Sequence, residues 1–163
     1  MTTTPTTPTS ATSTSATLTS VTPTPATPTP IARPLTRINP STWNAPFRFD
    51  HAQLRPAPRE LLTIAGQASV DDGGQVLHDG DHAAQLSLAV HHIEEILAQA
   101  GMTLADVFSL TIYTTDITAT LAAYQALTER LDAHRATPPA ALVGVTALAL
   151  PGLAIEITAQ AGR

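Results

Sequence analysis

Residues 140–160, AALVGVTALALPGLAIEITAQ, constrain the fold of this chain more than any other stretch. The segment is strongly apolar, and Pro151-Gly152 divides it into two parts that are each typical of a β-strand. In the second part, alternation places large apolar side chains on one face and Glu156 on the other. A single carboxylate on an apolar strand either faces water or serves chemistry, and this segment alone leaves both interpretations open.

The N-terminal residues 1–34 differ in composition from the rest of the chain. They are rich in Thr, Pro and Ser, and the first 30 contain no charged or aromatic residue. Such a segment cannot bury enough apolar surface to offset the entropy lost on ordering. We predict a disordered tail at 1–34, which we interpret as a dispensable extension, followed by one domain at 35–163. An O-glycosylated stalk would require export, for which the tail carries no signal.

The charge and cysteine content exclude several classes of function. The net charge is −5, every basic residue is Arg, and there is no Cys. No basic stripe is present to neutralise phosphates, so we expect no nucleic-acid partner. The absence of Cys excludes a thiol nucleophile and a disulfide. The longest apolar run is interrupted by Pro151-Gly152 and is too short to span a membrane, so we expect a soluble, cytoplasmic protein without a membrane partner.

The domain shows the order strands, helix, strand, helix, two strands. Asp81 is placed to cap a helix that continues to Ala100, and Thr118 is placed to cap a second helix that continues to His134. The alternation at Phe47–His51 predicts a half-buried strand, and Gly66 predicts a bulge or a close backbone approach at the end of the strand that begins at Glu60. The fold class predicted is α+β, a single domain with a mixed six-stranded sheet and two helices on one face.

The uncovered face of such a sheet leads to a prediction about assembly. Two helices cannot bury all the large apolar side chains of the last two strands, which are Val143, Val145, Ile155 and Ile157. We therefore expect the open face to be apolar and to pack against further copies of the chain, which makes the protein a homo-oligomer.

Few residues remain as candidates for chemistry. The chain has no phosphate-binding glycine loop and no nucleophile elbow. His91 and His92 are adjacent on a helix and point about 100° apart, so they cannot share a metal ion. The polar cluster from His78 to His82 is better explained as a solvated turn with a helix cap than as a metal site. We expect no metal and no cofactor, which leaves Glu156, Gly66 and the segment before Val143.

Several short stretches, in this order, resemble the Rid superfamily, also called the YjgF/YER057c/UK114 family. They include Ile64-Ala-Gly-Gln67, the helix from Gln85 to Leu97 with Ala100-Gly101, Asp106-Val107 leading into Thr111–Asp116, Val143-Gly-Val145 and Ile155-Glu-Ile157. The resemblance implies a chorismate-mutase-like fold and a homotrimer that binds small molecules in clefts between subunits. It also implies hydrolysis of reactive enamines or imines with release of ammonia.

The resemblance carries over to individual positions on one side of the cleft. The glutamate thought to position the attacking water falls on Glu156, which becomes the catalytic candidate. The glycine whose backbone faces the cleft falls on Gly66. The serine that precedes this glycine in the family is replaced by Ala65.

The substrate-binding side of the cleft departs further from the family. The arginine that clamps a substrate carboxylate is replaced by Ala140, and the chain has no Lys that could take its place. A pocket tyrosine is replaced by Phe47, and the family's cleft asparagine falls near Tyr124. Together with Leu142, these residues imply a larger and more apolar pocket than that of the archetype.

Two functional hypotheses follow. In the first, the chain is an enamine or imine deaminase of altered specificity, in which Glu156 holds a water that adds to the imine carbon. In the second, it is a non-catalytic protein of the same fold that binds a small molecule or a partner. Because the charge-assisted guanidinium–carboxylate pair is lost, small 2-imino acids are expected to be poor substrates.

Overall fold

The structure is a computed structural model that describes residues 1–2 and 34–163. Apart from Met1, Thr2 and Pro34, the segment predicted to be a disordered tail lies outside the described residues. The domain boundary at residue 35 therefore stays a prediction.

The described chain is an α+β domain, which confirms the predicted fold class. Its strands are β1 (Thr36–Ile38), β2 (Ala52–Leu54), β3 (Leu61–Ala68), β4 (Val107–Thr114), β5 (Ala140–Gly144) and β6 (Ile155–Gly162). Its helices are α1 (His82–Gln99), α2 (Ile117–Ala122) and α3 (Gln125–Ala133), with short 3-10 turns at Ala45–Phe47 and Leu104–Asp106. In this part of the chain no helix has the length and apolar character needed to cross a membrane.

The strands form two sheets instead of the predicted single six-stranded sheet. Four strands pair in the order β3-β6-β4-β5, and β1 pairs only with β2. The sheet is mixed, because β6 is antiparallel to both its neighbours while β5 is parallel to β4. The strand predicted at Phe47–His51 is absent: this region contains the 3-10 turn, followed by Arg48 in the left-handed conformation at φ 57°. That conformation cannot continue an extended strand.

The two strands predicted within residues 140–160 both exist, but they are not neighbours. β5 lies at the edge of the sheet, and β6 lies two positions away, between β3 and β4. The chain between them turns at Pro151-Gly152, where Gly152 has φ 88°. Glu156 is therefore on an inner strand and not on an edge strand.

The helices begin and end largely where local sequence signals place them. The Asp81 carboxylate accepts a hydrogen bond from the Ala84 backbone N–H and caps α1, as predicted. The predicted second helix is divided into α2 and α3 at Ala123-Tyr124, and its N-cap is Asp116 instead of Thr118. The Asp116 carboxylate accepts from the Ala119 N–H, so it supplies the cap before Thr118 is reached.

The core lies between the helices and one face of the four-stranded sheet. Ile112, Ile155 and Ile157 are fully buried on this face, and six side chains of α1 are buried as well. The prediction of an apolar open face holds only in part: the helices cover Ile155 and Ile157 completely, whereas Val143 of β5 is 37% exposed on the open face. The opposite face carries small polar side chains, which include Thr63, Ser109, Thr111, Thr158 and Gln160. The expected oligomer cannot be inferred from exposed isoleucines.

Candidate functional site

Gly66 lies in a β-bulge beside Glu156. On β3, Ile64 pairs with Ala159 and Gln67 pairs with Ile157, so one extra residue is accommodated between these pairs. A methyl group at Gly66 would lie 2.6 Å from the carboxyl carbon of Glu156. The glycine is needed because the carboxylate occupies the space of a side chain, which confirms the predicted bulge and close approach.

The Glu156 side chain is half-buried on the open face of the sheet. It is in register with Ala68 of β3 and with Tyr113 of β4. In the described part of the chain, no protein group donates a hydrogen bond to its carboxylate and no cation pairs with it. The carboxylate oxygens can therefore accept hydrogen bonds from a water or a ligand.

A buried glutamine fixes the start of the strand that carries Glu156. The Gln85 side chain is fully buried, and its oxygen accepts hydrogen bonds from the backbone N–H groups of Ala154 and Ile155 at 2.8 and 3.3 Å. Its amide nitrogen donates to the carbonyls of His78 and Gly152 at 3.1 and 2.8 Å. This role of Gln85 was not predicted, although an amide at an inward-facing helical position is a detectable signal in the sequence.

A second candidate region is a cavity of about 220 Å³, which we call the aromatic cavity. Its lining residues are Trp43, Phe47, Phe49, Leu121, Tyr124, Ala140 and Leu142. Four of the predicted substrate-binding residues thus come together, because Phe47, Tyr124, Ala140 and Leu142 all line it. Gly66, the fifth, lies elsewhere beside Glu156.

The rings of the aromatic cavity meet at steep angles. Trp43 lies 5.4 Å from Phe49 at 72° and 6.3 Å from Phe47 at 65°, measured between ring centroids and planes. Phe47 lies 5.9 Å from Tyr124 at 75°. Trp43 and Phe49 were not predicted to belong to the site, although clustered aromatic residues in an aromatic-poor chain are a usable signal. Burial raises the pKa of Tyr124 to about 12, so its phenol stays neutral near pH 7.

A polar network behind the aromatic cavity holds two of its walls together. The buried Asp50 carboxylate accepts hydrogen bonds from Asn39 at 2.8 Å, Gln53 at 2.7 Å and the Thr137 hydroxyl at 2.6 Å. The Asp50 N–H also donates to the Thr137 carbonyl. Because Thr137 precedes the Pro-Pro pair that leads into Ala140, this network ties the aromatic segment to β5.

Ionisation of Asp50 is favoured by these contacts. Burial by itself raises the pKa of the carboxyl, but the hydrogen bonds from Thr137, Asn39 and Gln53 and the Arg37 charge lower it by more. The net pKa of Asp50 is below its usual value. The group therefore holds the network as a carboxylate near neutral pH.

The histidine and aspartate cluster at the start of α1 is a turn and helix cap. Asp81 caps the helix, and the preceding turn places His78 at φ 59°. Within residues 1–2 and 34–163, no three His, Asp or Glu side chains converge in a way that could hold a metal ion. The cluster thus has a structural role in this region.

The family model described as endoribonuclease L-PSP matches residues 48–162. The YyfB protein of the conserved Rid family from Yersinia pestis is 33% identical, with a TM-score of 0.68, over 79% of this chain and 98% of that one. This chain belongs to the Rid superfamily. The resemblance inferred from the sequence is confirmed.

A second solved structure supports the same assignment, and a third shares the fold. Rv2704 of Mycobacterium tuberculosis, a member of the YjgF/YER057c/UK114 family, is 33% identical over 80% of this chain and all of that one, with a TM-score of 0.53. Escherichia coli TdcF, solved with bound serine, shares the fold at 23% identity and a TM-score of 0.58, over 72% of this chain and 94% of that one. No curated protein sequence matches the chain.

In this Rid protein the two candidate regions lie on different faces of the sheet. Leu142 of β5 is in register with Ile112, whose side chain is buried under the helices. Glu156 is in register with Tyr113, on the alternate face. A single copy of the chain therefore does not place Glu156 and Ala140 in one cavity.

Proposed function

We propose that this Rid protein hydrolyses a reactive imine or enamine and releases ammonia, with Glu156 holding the attacking water. The observation that supports this role is the position of the Glu156 carboxylate against the Gly66 backbone. There it is half-buried and has no hydrogen-bond donor in the described part of the chain. Such a carboxylate can accept a proton from a bound water.

The reaction can be written with balanced bonds and protons. The water oxygen forms a bond to the imine carbon while the C=N π electrons move to nitrogen. Glu156 takes one proton from the water and returns it to nitrogen, which gives a carbinolamine. The same carboxylate then moves the hydroxyl proton to nitrogen as the C–N bond breaks, so one imine and one water give one carbonyl compound and one ammonia.

The residue at position 140 supports an altered substrate class. The family resemblance implies a carboxylate-clamping arginine at this position, but Ala140 lines the aromatic cavity, and none of the basic side chains that the structure describes does so. A substrate carboxylate would lose its bidentate partner. We therefore propose a substrate without an α-carboxylate.

The separation of Glu156 from the aromatic cavity supports assembly of several copies, and the family resemblance implies that these form a homotrimer. The two regions face opposite sides of the sheet within one chain, so a complete cleft requires Glu156 of one copy to approach the aromatic cavity of another. The expected result of sedimentation equilibrium is a particle of three times the chain mass. A monomer at micromolar concentration would contradict the shared cleft.

A second candidate function is binding without catalysis. It is favoured by the loss of the substrate anchor at Ala140, and it is tested by the same assay as hydrolysis. Ammonia release is measured from imines generated in situ, and Glu156→Gln should lower the rate by about 100-fold or more. An unchanged rate would remove Glu156 from the mechanism, and no release from any imine would favour the binding protein.

A further inference from the structure

The aromatic residues of this chain are concentrated at one cavity. The chain has one Trp, two Tyr and three Phe, and four of these six line the aromatic cavity. The buried core is otherwise aliphatic, since Tyr124 is the one aromatic residue buried in it among those described. Trp43 is 62% exposed and still packs against Phe47 and Phe49. Packing of the core accounts for Tyr124 and for Phe47, which packs against it, but it does not account for Trp43 and Phe49.

The ring geometry suits a compact guest better than a flat one. A planar ligand is best held between two parallel rings in offset stacking. The three ring pairs of the cavity are inclined at 65°, 72° and 75°, so they act as walls of different orientation. Several aromatic walls at steep angles are the arrangement that binds quaternary ammonium groups.

The charges around the cavity also suit a cation. Among residues 1–2 and 34–163, no Lys, Arg or His lines it. Arg48, which lies between two of the rings in sequence, pairs with Asp132 at 2.7 Å. Arg37 interacts with the Asp50 carboxylate at 3.7 Å and donates to the Arg135 carbonyl. His51 packs 5.5 Å from Trp43 but is not part of the lining.

The Tyr124 hydroxyl adds one neutral polar group. Among the described residues it has no hydrogen-bond partner, and Tyr124 lines the cavity. A phenol can donate to or accept from a polar substituent of the guest. The cavity thus offers π faces and a neutral hydroxyl, without a fixed positive charge.

We propose that the aromatic cavity binds an organic cation with an alkylated ammonium or protonated iminium nitrogen, held by cation–π interactions with Trp43, Phe47, Phe49 and Tyr124. The proposal that the cavity binds a cation depends only on the residues of the cavity. The extension to an iminium substrate rests on the proposed hydrolysis. In that case, cation–π contacts replace the guanidinium–carboxylate anchor of the family at Ala140.

The test uses choline and its uncharged isostere 3,3-dimethylbutan-1-ol with the full chain. Trp43 is the only tryptophan, so its fluorescence reports on the cavity directly. Choline should change the Trp43 fluorescence in a saturable manner. It should bind about tenfold more tightly than the isostere, because the π faces attract the positive charge of choline, and the isostere has the same shape without that charge. Equal affinity for the two compounds, or no binding of choline, would overturn the proposal.

Two variants locate the effect. Phe49→Leu keeps an apolar side chain but removes a π face, so it should weaken choline at least threefold and leave the isostere unchanged. Phe108→Leu is the matched control, because Phe108 lies outside the cavity beside Arg55. In the variant Trp43→Leu, choline binding is measured by calorimetry, which gives the same test. Trp43 is more exposed than Phe49, so this substitution affects folding least. Loss of choline binding in Phe108→Leu, or its retention in both cavity variants, would refute the site.

Failure of this proposal and failure of the proposed function give different results. Choline contains no C=N bond, so its binding does not depend on hydrolysis. The cavity is judged by the preference for choline over its isostere, and hydrolysis is judged by ammonia release from the wild type and Glu156→Gln. Either result can be negative while the other is positive.

Discussion

Gly66 and Glu156 are in contact across β3 and β6, and the carboxylate occupies the space that a side chain at Gly66 would need. The β-bulge in β3 and the register of β6 bring them together. Two residues 90 positions apart in the sequence therefore form one unit, in which the glycine backbone is one wall and the carboxylate the other.

Substitution of Gly66 by Ala tests this unit. The new methyl group would displace the flexible end of Glu156 and not the backbone, so the free energy of unfolding should change by about 1 kcal/mol or less. Ammonia release should fall to the level of Glu156→Gln, because the carboxylate no longer holds the water. Gly73→Ala, in the exposed turn before α1, is the control and should keep full activity. Full activity in Gly66→Ala would separate the glycine from the mechanism.

Substitution of Ala140 by Arg tests the charge preference of the aromatic cavity. A guanidinium at this position would repel a cationic guest, so choline affinity should fall at least about tenfold in calorimetry. Ala141→Arg is the matched control, since the next residue along β5 is exposed and points to the other face. Equal loss in both variants would show a general charge effect and not a local one.

Substitution of Gln85 by Leu should strongly destabilise the fold. It removes four hydrogen bonds and leaves backbone groups unpaired at the start of β6, with a penalty of about 1–3 kcal/mol for each group that stays buried. The expected loss in urea unfolding is about 3 kcal/mol or more. Gln99→Leu, at the exposed end of the same helix, should change stability by about 0.5 kcal/mol or less. Similar losses in both variants would contradict the role of Gln85.

The Asp50 network predicts a defined dependence of stability on pH. The folded-state pKa of Asp50 is below its usual 3.8, so the contribution of this carboxylate is fully present above pH 3.8 and is lost as the pH falls through the folded pKa. Asp50→Asn should therefore lower the free energy of unfolding at pH 7, and the difference from wild type should shrink below pH 3.8. Urea titrations at several pH values measure this difference. A difference that does not vary with pH would assign the effect to packing alone.

Local signals predicted the parts of the fold that depend on neighbouring residues. Asp81 caps α1 as predicted, and Leu110, Ile112 and Thr114 share the buried face of β4 as alternation requires. The errors lie where tertiary contacts compete with propensity. The aromatic segment at 47–51 alternates like a strand, yet it turns because Asp50 is held by residues that include Thr137, far along the chain.

The candidate site was predicted only in part, for a similar reason. The residue pattern and the family resemblance together identified Glu156, Gly66, Phe47, Tyr124, Ala140 and Leu142, and the structure places them in two separate groups. Trp43 and Phe49 join the second group through packing of a segment without regular secondary structure. Periodicity carries no information about such a segment.

The sequence by itself determined the α+β class, the superfamily, the Asp81 cap of α1 and the lack of an arginine at position 140, because each of these depends on residue identity or on short-range spacing. Only the tertiary structure decided that β5 and β6 are separated by β4, that Ile155 and Ile157 are buried under the helices, and that four aromatic residues meet at Ala140. These features depend on strand order and on contacts between distant residues. Local propensity does not encode them, since the free energy that selects them arises when the helices and the sheet pack together.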